Sequence, residues 1–272
     1  GVARADARGP RRSRDPAAHL REHLRAHRVH LDDDAQVVRL PHREQGLVGD
    51  GHLADVGALA KDALHVEAGD VAIGIDTEAD STDANRAELV GLALSIAAND
   101  AIYIPLQHKG AESRAGELFA SEAPSEKSAP DTGAQIRLAA ALAALRLLLE
   151  DASVTKVGLN VKWDIALFTK YNIALAPYDD PMLASYTLYG GLHDHDKISL
   201  IEKHIGHGLT PYSNVAGKGK AQQSFDLVPV ERAAAYSCEY ADAALRLHRK
   251  LKAELASNRL ITVYETLERP LP

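Results

Sequence analysis

Asp76 and Glu78 are the first residues in the chain placed to do chemistry. They stand two apart at the end of an apolar run, Val71 to Ile75, in the stretch Ile75-Asp76-Thr77-Glu78. Side chains alternate across a strand, so both carboxylates face the same way. Two acids that close repel unless a cation lies between them, and a divalent metal is the common solution. A solvated strand end would also tolerate the pair, since Asp-x-Glu is a short pattern. Asp164 is the third acid of interest. It follows a second apolar run, in Asn160-Val161-Lys162-Trp163-Asp164, where a helix is expected to begin. There it either joins the first two acids or favours the N-terminal end of the helix dipole.

The elements that must position these acids are legible from pattern. Val71 to Ile75, Leu89 to Ile96 and Ala101 to Pro105 are apolar runs bounded by Asn, Asp and Gly. They predict three successive strands joined by short turns, able to pair antiparallel. Residues 107–132, rich in Glu, Ser, Gly, Ala and Pro, read as an exposed connection. Gln135 to Glu150 carries a broad apolar face and predicts a helix packed on a sheet. Val154 to Asn160 predicts a further strand, able to join in parallel. Helices are then expected over Ile165 to Tyr171, Asp180 to Tyr189, Ile198 to Ile205 and Pro229 to Leu255. Thr210 to Phe225 reads as a loop, and Leu260 to Leu267 as the start of another helix. The class is α/β, a mixed sheet with helices packed on it.

Composition bounds the partners. The 272 residues are 46% hydrophobic and 25% charged, ordinary for a globular protein with a sizeable core. No apolar segment approaches the length of a bilayer span. The single cysteine, Cys238, excludes an internal disulfide framework and a cysteine zinc cluster. It fits a reducing compartment, so a cytoplasmic location is expected, and it reads as a small buried residue. A formal net charge of −7 argues against tightly held duplex DNA but leaves room for a short nucleic-acid end held through metal ions. Residues 1–66 differ from the rest: before Lys61 every Lys or Arg is an Arg. They read as a poorly ordered leader or linker. His19, His23, His27 and His30 recur at near-helical spacing, but Arg21, Arg25 and Arg28 oppose a metal among them. The chain opens on Gly1, its only methionine is Met182, and its ends read as cuts in a longer product.

Three motifs occur in order: Asp76-Thr77-Glu78; Asn160-x-Lys162-Trp163-Asp164; and Tyr236-Ser237-Cys238-Glu239 on a late helix. In that order they resemble the exonuclease motifs of the DnaQ-like superfamily. The chain is most similar to the 3′–5′ proofreading exonuclease domain of bacterial DNA polymerase I. The likeness extends to Leu89-Val90-Gly91-Leu92, Tyr103-Ile104-Pro105, His195-Asp196 and Ala216-Gly217-Lys218-Gly219-Lys220, and covers about residues 68–272. The resemblance implies a ribonuclease-H-like mixed sheet, three antiparallel strands then parallel ones, with helices on both faces. It implies an exonuclease domain over 67–260 and, over 261–272, the start of a connection to a polymerase domain in cis. It implies two divalent ions, Mg2+ or Mn2+, held by Asp76, Glu78 and Asp164, with Tyr236 against the attacking water and a single-stranded DNA 3′ end as substrate. Thr77, Thr82, Asn160, Lys162, Trp163 and Tyr212 fall at its nucleic-acid-binding positions, Tyr212 as a base-stacking aromatic.

Two positions depart from that family. Its third motif has an Asp four residues after the Tyr, and here that residue is Tyr240. Glu239 and Asp242 lie about 100° and 200° away around an ideal helix, so neither replaces it without a local shift. A phenol, with an ordinary pKa near 10, is a poor ligand for a hard cation. Impaired hydrolysis is the expectation, with a catalytically weak or inactive binding module of the same fold as the alternative. At Thr82 the family commonly has a leucine that wedges against the terminal base.

Overall fold

A computed structural model describes residues 36–40 and 49–52 in backbone, and residues 71–109 and 135–271 in full. The sheet is built from β1 (Gln36–Leu40), β2 (Gly49–His52), β3 (Val71–Ala79), β4 (Leu89–Ala97), β5 (Asp100–Pro105), β6 (Val154–Val157) and β7 (Tyr178–Asp179). Its spatial order is β2-β1-β5-β4-β3-β6-β7. β3, β4 and β5 pair antiparallel, then β6 lies parallel to β3 and β7 parallel to β6. That is the expected mixed sheet.

Helices α1 (Leu138–Leu149) and α2 (Val161–Thr169) cover one face. α3 (Pro181–Tyr189), α4 (Lys197–Ile205), the short α5 (Tyr212–Ala216) and the long α6 (Val230–Ser257) cover the other. α7 (Ile261–Val263) runs into a wider helical turn over Tyr264–Glu268. Each face has its own core, as strand alternation demands. Ile73 and Ile75 of β3 join Leu145, Leu149, Leu167 and Phe168 on the first side. Val90, Ala93 and Tyr103 join Ala241, Ala244 and Leu247 of α6 on the second.

Gly74 is what brings α6 close to the central strand. A Cβ there would stand 2.0 Å from the Ala241 carbonyl oxygen. Asp76 and Glu78 share the face of Gly74, so close seating of α6 carries its Tyr236-Ser237 turn down onto the acids.

Several expectations change on contact with the structure. β1 and β2 fall inside the 1–66 stretch expected to be a poorly ordered leader, yet β1 pairs antiparallel with β5 and extends the sheet. The four regularly spaced histidines lie outside the described residues, as does most of the expected connection at 107–132. The second motif's helix starts at Val161 rather than Ile165, so Asp164 sits within its first turn. Asn160 makes the start possible by taking a left-handed φ of 67°, which Asn tolerates better than most residues. Thr210 to Phe225 is not a plain loop: it holds α5 and short turns at Gly219–Ala221 and Phe225–Leu227. β7, two residues long, carries too little pattern to be read from sequence.

Candidate active site

The C-terminal end of β3, the first turn of α2, the start of α4 and the second turn of α6 meet around a cleft of about 820 Å³. Asp76, Glu78, Asp164 and Tyr236 all line it, although they are spread over 160 positions of sequence. Thr77, Thr82, Asn160, Trp163 and Tyr212 line it as well. Lys162 does not: it is exposed on α2, outside the cleft wall. Among the described residues, the one cationic side chain in the lining is Lys197, which sequence reasoning missed.

Asp76 and Asp164 each have a local holder. Ser237 donates to Asp76 Oδ2 at 2.8 Å. Thr77 Oγ1 donates to Asp164 Oδ1 at 2.5 Å. Asp180 fixes the helix that carries Asp164, accepting from the Val161 amide at 3.0 Å and the Met182 amide at 2.8 Å. One carboxylate thus caps α2 and α3 together. Across the cleft, Ser224 donates to the Asp80 carbonyl at 2.9 Å, and the Trp163 indole donates to the Thr82 carbonyl at 3.3 Å. Tyr212 stacks on Phe225 with centroids 6.1 Å apart and meets Tyr236 edge-on at 6.3 Å.

The electrostatics are those of acids crowded away from water. Burial pushes the Asp164 carboxyl up to about 8, with Thr77 opposing and Asp76 adding to the rise. Glu78 is raised well above the carboxylate range, first by burial and then by Asp76. Asp76 is raised by burial too, while Lys197, Ser237 and a hydrogen bond from Glu78 pull it back. Burial and the neighbouring Asp76 charge thus both favour the neutral form of Glu78. Such a set binds cations readily, because an ion removes both the repulsion and the proton. Tyr236 is pushed upward by burial and by both β3 acids, so its hydroxyl stays protonated and can donate.

Tyr240 is buried and turned from the cleft, its hydroxyl donating to the Thr210 carbonyl at 2.9 Å. Its ring lies 4.6 Å from that of Tyr236, as i,i+4 spacing on α6 dictates. The nearby acids on α6 do not stand in. Glu239 accepts from the Thr210 amide at 2.9 Å and pairs with His207 at 2.6 Å. Asp242 accepts from the Asn99 amide at 2.6 Å and pairs with Arg246. Both face a second, smaller cavity, on which Cys238 also borders, buried as expected.

The oxygen-only donor set matches a hard divalent cation such as Mg2+ or Mn2+. Among the described residues no group of three His, Cys, Asp or Glu side chains is arranged to hold an ion. Asp76 is turned to Ser237 and Asp164 to Thr77.

Residues 57–256 match the family model for the 3′–5′ exonuclease. The chain belongs to this 3′–5′ exonuclease family. DNA polymerase I of Rhizobium leguminosarum is 43% identical over 208 residues, covering 73% of this chain and 19% of the polymerase. The enzyme of Pseudomonas aeruginosa is 35% identical over 203 residues, 73% of this chain and 20% of its own length. The exonuclease domain thus spans about a fifth of the relatives it matches. Escherichia coli RNase D shares the fold, with a TM-score of 0.51 at 18% identity over 76% of this chain and 45% of its own. That likeness places the sheet and helices in the ribonuclease-H-like class.

Proposed function

We propose that this exonuclease domain removes nucleotides from a single-stranded DNA 3′ end by metal-dependent hydrolysis of the last phosphodiester. The observation that carries the reading is the gathering of Asp76, Glu78, Asp164 and Tyr236 in one cleft of a chain that belongs to the family. Asp76, with Glu78 and Asp164, would hold the divalent metal. When bound, the metal supplies charge neutralisation at the phosphate and lowers the pKa of a water. The protein does the rest. Glu78 and Asp164 give up their protons to make the donor set anionic. Tyr236, kept protonated, offers its hydroxyl to orient a water at the phosphate. Asn160, Trp163 and Thr82 form the cleft wall on which a terminal nucleotide rests, and Tyr212 offers an aromatic face for a base. Thr82, exposed and small, gives such a base little to wedge against.

The rate is set low by Tyr240. The Tyr236 and Tyr240 rings lie 4.6 Å apart and the Tyr240 hydroxyl donates to the Thr210 carbonyl, so position 240 gives the cleft no carboxylate beside Tyr236. Where an acid would add a ligand, Tyr240 instead secures Thr210. A domain that grips a DNA end while cleaving it slowly is the form of the activity these contacts favour. Its partner in the natural product is a polymerase domain in cis, in line with the length of its relatives. Incubating the chain with a 5′-labelled single-stranded oligodeoxynucleotide and Mg2+ tests the reading. A ladder shortening from the 3′ end is expected, lost in Asp76→Asn. A ladder that persists in Asp76→Asn would place the chemistry elsewhere.

A further inference from the structure

Asp179 and Asp180 are neighbours whose carboxylates serve different parts of the molecule. They stand in extended backbone at the end of β7, where successive side chains alternate. The Asp179 carboxylate meets α6 and the last helical turn. His248 and Lys252 donate to its Oδ2 at 2.8 and 2.9 Å, and Arg269 to its Oδ1 at 3.3 Å. The Asp180 carboxylate holds the Val161 and Met182 amides at the starts of α2 and α3. One hydroxyl joins the two residues. Tyr264 accepts from the Asp180 amide at 3.0 Å and donates to Asp179 Oδ1 at 3.1 Å. Its ring is buried in the core on the α6 face, so packing fixes where that hydroxyl lies.

From this pair the path to the cleft is short. The Asp179 carbonyl accepts from the Gly158 amide at 3.3 Å, and Asp180 Oδ2 from the Val161 amide at 3.0 Å. These two bonds bracket the bend from β6 into α2. Asp164 lies one turn along α2 and rests against the same bend: a Cβ on Gly158 would stand 3.0 Å from Asp164 Oδ2. The carboxylate therefore follows any shift of the bend. Building on the nuclease reading, we infer that Tyr264 is a positioning residue for Asp164. Its hydroxyl sets the Asp179–Asp180 step, the step seats the start of α2, and α2 aims the carboxylate at the metal. The helical turn at Tyr264–Glu268, outside the cleft wall, thereby governs the geometry inside it.

Tyr264→Phe tests the inference, because it removes the hydroxyl and keeps the buried ring. Tyr178→Phe is the control. It removes a bond to the same C-terminal segment, from the Tyr178 hydroxyl to the Arg269 carbonyl at 3.0 Å, and leaves Asp180 untouched. Trp163 is the only tryptophan of the chain and sits in the first turn of α2, so its fluorescence reports on that turn. In Tyr264→Phe, quenching of Trp163 by acrylamide should rise. Mn2+ affinity, followed by electron paramagnetic resonance, should fall about tenfold, as when a group that orients a metal ligand is lost. Release of the 3′ nucleotide with Mg2+ should lose more in kcat than in KM, since Tyr264 touches no substrate. Tyr178→Phe should leave all three at their wild-type values, which separates positioning from a general loss of stability. Unchanged Trp163 quenching and Mn2+ affinity in Tyr264→Phe, equal changes in Tyr178→Phe, or a kinetic effect confined to KM would each overturn the inference. A wild type that binds Mn2+ but cleaves no DNA would remove the nuclease reading instead, and the fluorescence and Mn2+ measurements would still decide the role of Tyr264.

Discussion

At the scale of single residues, Tyr240 separates two contributions that are usually carried by different side chains. Tyr240→Phe removes only the hydroxyl that holds Thr210 and keeps the ring, over which the Lys197 ammonium lies at 4.7 Å. The cost in stability should be about 1 kcal/mol, the net worth of one buried hydrogen bond, with Mn2+ uptake unchanged. Chemical denaturation and metal titration of that one variant read both quantities. Tyr240→Asp acts differently. It removes a ring that is only 2% exposed and leaves a cavity, so stability should fall by about 3 kcal/mol. It also adds a carboxylate beside Tyr236 and Lys197. Release of the 3′ nucleotide with Mg2+ should rise despite the weaker fold. An unchanged rate would show that the missing carboxylate beside Tyr236 is not what limits hydrolysis.

Among the elements, the seating of α6 on β3 decides whether the acids meet at all. Gly74→Ala would force the strand and helix apart at Ala241, where no flexible side chain can yield. A loss of about 1–3 kcal/mol is expected, as for other overpacked sites, together with loosened Ser237–Asp76 contact and a drop in metal affinity. Calorimetry and Mn2+ titration check the two; a Gly74→Ala protein as stable as the wild type would mean that α6 is not held this closely. Asp180→Ala should cost about 1–2 kcal/mol, because it uncaps two helices at once, and should disturb Asp164 from a distance. Much of this was legible in the chain. Period-two alternation set Asp76 and Glu78 on one face, and the strand order followed from short turns and one long helix. Asp164 came from its motif, not from pattern. Lys197 left no mark, because a lysine beginning a helix is ordinary until α4 is docked on α6. Asp180 left none either, since its second amide partner is 19 residues away. The pairing of β1 with β5 was hidden by a stretch whose composition resembles a linker.

For the molecule as a whole, the cleft acids and the remaining buried groups respond to pH in opposite directions, and metal decides which prevails. Asp179, buried at the end of β7, accepts from His248 and Lys252 and pairs with Arg269, contacts that hold it well below the usual carboxylate range. A depressed acid adds stability above its unfolded value near 4 and loses it only in strong acid, so Asp179 contributes no slope near neutrality. His108, held low by burial, favours the fold less as pH drops below about 6.5, because only the unfolded chain then takes up a proton. Lys156 donates to three carbonyls and is depressed to about 8, so its effect on slope begins above that pH. Between pH 6.5 and 8, the raised cleft acids Glu78 and Asp164 remain, and they act in the same direction. The folded Asp164 carboxyl, raised to about 8, still holds a proton that the unfolded chain has already lost. Folding in that window requires proton uptake, and stability of the metal-free domain must fall as pH rises, by about 1 kcal/mol or more across it. In EDTA the melting temperature should therefore be lower at pH 8 than at pH 6.5. With millimolar Mn2+ the order should reverse, because the ion binds only the deprotonated donors and stabilises the fold by mass action. A melting temperature in EDTA that stays level or climbs over the window would mean that Glu78 and Asp164 are already ionised without metal.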